Sequence, residues 1–559
     1  MTVVISGISL VRLPVVCLAL SLVLAGVLPP STQGPSARSW EDCLKAPDRA
    51  CLLEEAIDLL YLGDRTDRRQ TLVAEIAQTW AQAGEIDTAT QLAAQVPDRL
   101  LVRAAVLREI AAAQARASNH EKAEAAFDQA LQLAYGWKDP LQRAQALHSI
   151  ARAQAAAGMK AAADATFYQA LQAATVSVVG EKVRVMLPAS ESQPAQLLQQ
   201  LAMREAEVGE IGQALQIARS IVNDPQTRAR TLLALADLQM RAGAAAEETL
   251  DEALAAERNA RSSPAQRQSF RETVIGVTAS GSGGVRLLCD IAKAQARAGL
   301  TTKAVASFDE ALRAAKAITM LTPALQGEAI ADALATVADA QREAGLAVAA
   351  QATLDRAGTV VEAIANDFNR PQALARLAEV RTKAGDAAQG LFARALSIAR
   401  ALPDDRQRAQ ALQRIATAQA HAGLRDEGSR TFAEAVGFAR LRDEQILSGN
   451  ADAGALLLGQ DGLMLMLSRI ADAQHRAGLI KEAAATFEEA LTATLSSDMR
   501  RDEVRLVSLI KMIVDNDRAY GVVVASPVLR MRLVEAAETI TGRLGRAETL
   551  YVIARALPN

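Results

Sequence analysis

This 559-residue chain is short of aromatic residues, of chain breakers, of cysteine and of any excess of one charge. Each shortage excludes something. Aromatics are 3% of the residues, which speaks against a glycan-processing groove, because such sites usually combine paired carboxylates with aromatic platforms. Lys and Arg number 61 against 64 Asp and Glu, for a net charge of −3. The basic excess that phosphate neutralisation requires is missing, and no nucleic-acid partner is expected. Glycine (32) and proline (16) are too few to interrupt the chain often. Alanine fills their place at roughly a fifth of the residues, and it is the best helix former. With 50% apolar and 22% charged residues, the chain is expected to be globular and almost entirely α-helical.

The one long apolar run stands at the start. Met1 to Leu28 has no acidic residue, carries Arg12 and continues as the mainly apolar stretch Leu13 to Leu28, which is shorter than a membrane-spanning helix needs. Residues 1–37 are therefore expected to be a secretory signal and a Pro/Ser/Gly linker, placing the mature protein in the periplasm or outside the cell. Val27 follows Leu24-Ala25-Gly26 where a lipoprotein would carry cysteine, so lipidation is not expected. An N-terminal membrane anchor with peripheral envelope association is the alternative.

Beyond the leader only Cys43, Cys51 and Cys289 remain. In an oxidising compartment Cys43 and Cys51 should form a disulfide across a short, proline-containing turn. Its loop closure stabilises that end by about 2.5 kcal/mol on the chain-entropy view. Cys289, in a helical context, reads as a small half-buried residue.

Internal repetition dominates the rest. Ile150-Ala151-Arg152-Ala153-Gln154 recurs as Ile291-Ala292-Lys293-Ala294-Gln295 and as Ile470-Ala471-Asp472-Ala473-Gln474. Aligning every copy on one turn position gives ten anchors: Gly84, Ser118, Gly158, Gly209, Gly243, Gly299, Gly345, Gly385, Gly423 and Gly478. Seven residues before each stands alanine without exception, from Ala77 and Ala111 to Ala416 and Ala471. Eleven before stands leucine, or Val73 in the first copy. A second helix follows each anchor, with the lane Ala163, Phe167, Ala170, Leu171 repeated at Ala304, Phe308, Ala311, Leu312 and at Ala483, Phe487, Ala490, Leu491. The glycine permits the left-handed backbone of a tight helical hairpin. One hairpin cannot bury its own face, but stacked hairpins can.

The leucine lane, the common alanine, the turn glycine and the later Ala-x-x-x-Phe-x-x-Ala-Leu lane resemble the tetratricopeptide repeat. Anchor spacings of 34 from Gly84 to Ser118 and from Gly209 to Gly243 equal that family's period, whereas the others run from 38 to 56. The resemblance implies an all-α fold, an α-solenoid of about ten such hairpins over residues 70–497 with irregular insertions near 257–284 and 441–462. Residues 38–69 and 498–559 are expected to cap its two ends, since Leu550, Ile553 and Ala554 replay the start of a first helix.

The resemblance also places the residues six before each anchor on the concave side. That lane includes Arg152, Asp237, Lys293, Asp339, Glu379 and Asp472, and a partly basic lane two before the anchor runs beside it through Arg116, Arg241, Arg297, Lys383 and Arg476. Such charged stripes suit a protein or peptide partner held by many modest contacts. Asp339 and Glu379 are expected to face solvent. The four histidines, His120, His148, His421 and His475, include no i, i+4 pair and none beside a cysteine, so they read as surface or groove residues, with no metal and no cofactor expected. The glycine-rich loop Ser280 to Val285 lacks the Lys-Ser/Thr of a phosphate cradle. The expectation is a non-catalytic protein-binding scaffold of the bacterial cell envelope, and its rival is an exported glycan-acting enzyme on a helical scaffold. The oligomeric state is left open.

Overall fold

A computed structural model describes residues 39–61, 66–97, 101–180, 192–207, 209–262, 282–320, 323–365, 368–447, 462–496, 503–517 and 526–557. The expected signal, and most of both insertions, lie outside the described residues. Among the described residues there are 25 helices and no strand.

Helix starts are written locally. Asp139 and Asp224 each accept a backbone N–H bond from the first turn at 2.8–2.9 Å, and each is followed by proline at the first helical position, where no donor is needed. Helix ends are written by the anchors. The Gly158 N–H donates to Ala155 O and the Met159 N–H to Gln154 O, the doubly bonded C-terminal turn that needs a left-handed residue. All ten anchors have positive φ, including Ser118 at 61°. Among the described residues no other residue does, so the turn register of the alignment is correct at every copy.

Two N-terminal helices, α1 (Trp40–Lys45) and α2 (Arg49–Tyr61), precede the repeats. The first five hairpins are α3/α4 (Asp67–Ala83, Ile86–Ala93), α5/α6 (Leu101–Arg116, His120–Tyr135), α7/α8 (Pro140–Ala156, Lys160–Gly180), α9/α10 (Ser192–Glu207, Ile211–Ser220) and α11/α12 (Pro225–Arg241, Glu247–Ser262). The second five are α13/α14 (Ser282–Arg297, Thr301–Lys316), α15/α16 (Pro323–Glu343, Ala347–Glu362), α17/α18 (Arg370–Lys383, Gln389–Ala401), α19/α20 (Asp405–His421, Arg425–Leu447) and α21/α22 (Gly462–Arg476, Ile480–Ser496). Three helices follow: α23 (Glu503–Asp517), α24 (Pro527–Glu538) and α25 (Arg543–Ala556).

Within each hairpin the two helices pack together, and each first helix packs on the next first helix from α3 through α21. All ten lane alanines, Ala77 to Ala471, are 0% exposed. Their methyl groups are what allows neighbouring helices to approach. Phe127, Phe308, Phe432 and Phe487 fill the space between hairpins and are among the largest fully buried side chains.

The expected caps take a specific form: they cap each other. Helix α25 packs along α2 as closely as the two helices of a repeat hairpin do, and it also touches α3, while α1 lies against α24. The Trp40 Nε1–H donates to Glu538 at 2.9 Å, Arg49 Nε donates to Ala554 O at 3.2 Å, and Arg68 pairs with Glu548 at 2.5 Å. Leu52, Leu53 and Ala56 from one end and Leu550, Ile553 and Ala554 from the other are all 0% exposed. One apolar core joins Cys43–Ala113 to Ala471–Leu557, and a second runs from Ala111 to Ala490 and interleaves with it at both junctions. The chain thus closes into a ring: the ten anchored hairpins, then α23, which packs mainly on α25, and α24, which packs on α22 and α25, and last the pair of α25 with α2, contributed by opposite ends of the sequence. Cys43 and Cys51 form a disulfide that ties α1 to α2 within this seam.

Candidate functional site

The first helices line one continuous face, and its curvature brings distant units together. Arg414 on α19 reaches Glu328 on α15 at 2.9 Å, across the intervening α17. Such contact between units two apart identifies this as the inner face of the ring.

Among the described residues, three clefts on it open between first helices. One of about 560 Å³ lies between α11 and α13 and includes Asp237, Lys293 and Arg297. One of about 240 Å³ lies between α5 and α7 beside Trp137. The third, about 350 Å³, spans α15, α17, α19 and α21 and includes Glu379, Arg414 and His421. Their sizes overlap the range of ligand-binding clefts at its lower end, about 300–1,000 Å³.

The two charged lanes neutralise one another. Arg297 pairs with Asp237 at 3.0 Å, Lys293 with Asp290 at 3.0 Å and Glu343 at 3.2 Å, Lys383 with Glu379 at 2.7 Å, and Arg476 with Asp472. Burial works against the charge of Lys293, but Asp290 and Glu343 outweigh it and its pKa rises. Asp339 is held by Arg342 at 2.8 Å and lies 4.0 Å from Lys383. Arg152 and Arg241 are exposed.

Glu379 does not face solvent as expected. It is 4% exposed and sits between Arg376 at 2.8 Å and Lys383 at 2.7 Å, with His421 at 3.9 Å. The strong inward curvature at α15–α19 folds neighbouring side chains over it. Reversing its charge would therefore set a cation against Arg376 and Lys383 rather than probe a ligand. Asp339 is likewise only half-exposed.

The histidines also divide differently from expectation. His120 is exposed and His421 lines the inner face, but His148 and His475 are 5% and 2% exposed. Burial, with Arg152 and Arg204 nearby, holds His148 down to about pKa 4. Cys289 is fully buried, not half-buried, and burial pushes its thiol up to about 12, which removes it as a nucleophile. Of the three tryptophans, Trp80 is in the core, Trp40 is in the seam and Trp137 lines a cleft.

Two columns of the repeat carry roles that the lanes above do not capture. Ser307, Thr353 and Thr431 each donate a buried hydrogen bond to Gln295, Gln341 and Gln419 at 2.7–2.8 Å, always twelve residues apart. These clips join the helices of a hairpin at three copies, whereas the glutamines at the same position of four other copies, Gln114, Gln154, Gln239 and Gln474, have no such donor on Oε1. Thirteen residues before the anchor stand Arg230 and Arg286, two turns above the concave lane and lining the largest of the three clefts.

No family model matches the chain, and no curated protein matches it. Among solved structures, Ton1535 from Thermococcus onnurineus NA1 is 18% identical with a TM-score of 0.24, covering 61% of this chain and 98% of that one. A circular tandem repeat protein is 14% identical with a TM-score of 0.22, covering 90% and 97%. Aspartyl phosphate phosphatase F from Bacillus subtilis is 12% identical with a TM-score of 0.22, covering 77% and 95%. At these scores none of them bears on what this chain does, and the helical-repeat assignment rests on the packing described above.

Proposed function

We propose that the protein is a non-catalytic scaffold of the bacterial cell envelope that binds a polypeptide along the inner face of its ring. The observation that carries this reading is the row of three clefts on one face, each opening between successive first helices and each with polar or charged side chains in its lining. Most inner-face charges are already paired, so contact with a partner rests on the clefts and on exposed side chains such as Arg152 and Arg241. The apolar N-terminal run, which we read as a leader, and the Cys43–Cys51 disulfide suit an oxidising compartment.

Capture from envelope extract with the purified full chain tests the reading. Wild type should retain a specific polypeptide, and R152E/R241E should lose most of it at an unchanged melting temperature, because both side chains are exposed. Equal retention by both proteins, or recovery of the chain only in the cytosolic fraction with free Cys43 and Cys51, would overturn it.

A further inference from the structure

Charge is distributed unevenly along the inner face. In the cleft spanning α15 to α21, three cations, Arg376, Arg414 and Arg476, stand against three anions, Glu328, Asp332 and Glu379, so cations and anions balance. The cleft between α11 and α13 is different. Its wall carries four cations, Arg230, Arg286, Lys293 and Arg297, against two anions, Asp237 and Asp290. Arg297 is engaged by Asp237, and Lys293 by Asp290, each at 3.0 Å. Arg230 and Arg286 remain, both exposed and neither ion-paired among the described residues. They occupy the same repeat column on adjacent helices. The first turn of α13 also borders the cleft, at Gly283, where no side chain projects and the positive end of the helix dipole lies.

We propose that this cleft is a site for the carboxylate side chains of an acidic polypeptide segment, with Arg230 and Arg286 as its two anchors. The proposal rests on the scaffold reading above and names the chemistry of the segment that the inner face takes. A guanidinium receives a carboxylate through two parallel N–H bonds, and two arginines on neighbouring helices accept two carboxylates spaced along one strand. Asp237 and Asp290, two turns and one turn further along the same helices in the cleft wall, disfavour a continuous run of phosphates, which would meet these carboxylates.

The test uses the full chain and two short peptides with blocked ends, one alternating glutamate with glycine and one with glutamine in place of glutamate. By fluorescence anisotropy at low salt the acidic peptide should bind at least about tenfold more tightly, the scale of one charge-assisted hydrogen bond. R230Q/R286Q should remove the difference, while Arg313→Gln on the outer helix α14 should preserve it. Equal binding of the two peptides, an unaffected double variant, or displacement by inorganic phosphate at concentrations below the peptide's own would each overturn the proposal. If the peptides fail but capture from envelope extract persists, the site is wrong and the scaffold stands. If both fail, the scaffold reading falls with it.

Discussion

His148 shows how a single residue couples this fold to pH. Its ring is 5% exposed and lies 5.6 Å from the Phe167 ring, with Arg204 stacked over the far partner at 4.8 Å. Burial lowers its pKa from 6.5 to about 4, so between those values the unfolded chain takes up a proton that the folded chain refuses. This contribution to stability is therefore complete above pH 6.5 and is lost as pH falls towards 4. A shift of this size corresponds to about 3 kcal/mol. Chemical denaturation at pH 7 and pH 4.5 should show wild type losing that increment and His148→Gln losing much less. Equal losses would mean that the imidazole is not buried in its neutral form.

At the scale of the helix, two packing devices recur and can be separated by mutation. The lane alanines mark where one helix lies against the next. Ala292→Leu should therefore cost roughly 1–3 kcal/mol by overpacking, whereas Ala306→Leu, at an exposed position of the same hairpin, should cost little. Ala296, which spacing alone suggests as an exposed control, is half-buried and unsuitable. The Gln–Ser/Thr clips stabilise the hairpin from inside. Thr353→Val leaves the Gln341 amide buried without its donor and should cost about 1–3 kcal/mol. The double variant T353V/Q341L should recover part of that loss, because it removes both polar partners. Urea midpoints of the single and double variants measure the coupling, and simple additivity would contradict the clip.

At the scale of the molecule, the seam between α2 and α25 decides the shape. An open solenoid exposes an apolar face at each end and needs a polar cap there. This chain instead gives each end half of a helical pair and joins them. Leu53→Asp, at a 0% exposed position of the seam, places a charge where no partner waits. It should open the ring while the anchored hairpins stay folded. Small-angle scattering should then show a larger radius of gyration with nearly unchanged helical circular dichroism. A compact variant would mean that the seam does not hold the ring closed.

What the sequence determined by itself was everything set by contacts between neighbouring repeats. The ten turns, the buried alanine and leucine lanes, the all-α class and the Cys43–Cys51 pairing all depend on residues within one or two units of each other, so a column of the alignment reports each of them. Tertiary structure alone decided what depends on the sum of many small rotations between units. Curvature set whether the ends would meet, and so whether Leu550, Ile553 and Ala554 sealed a terminus or found α2. Curvature also buried Glu379 under its neighbours, drew Arg414 onto Glu328 and paired the two charged lanes. No single repeat encodes that angle. It emerges from unequal loops and helix lengths around the whole ring, which is why the concave lane was legible as positions and not as a charge pattern, and why the cationic excess at Arg230 and Arg286 became visible only once the rest had found partners.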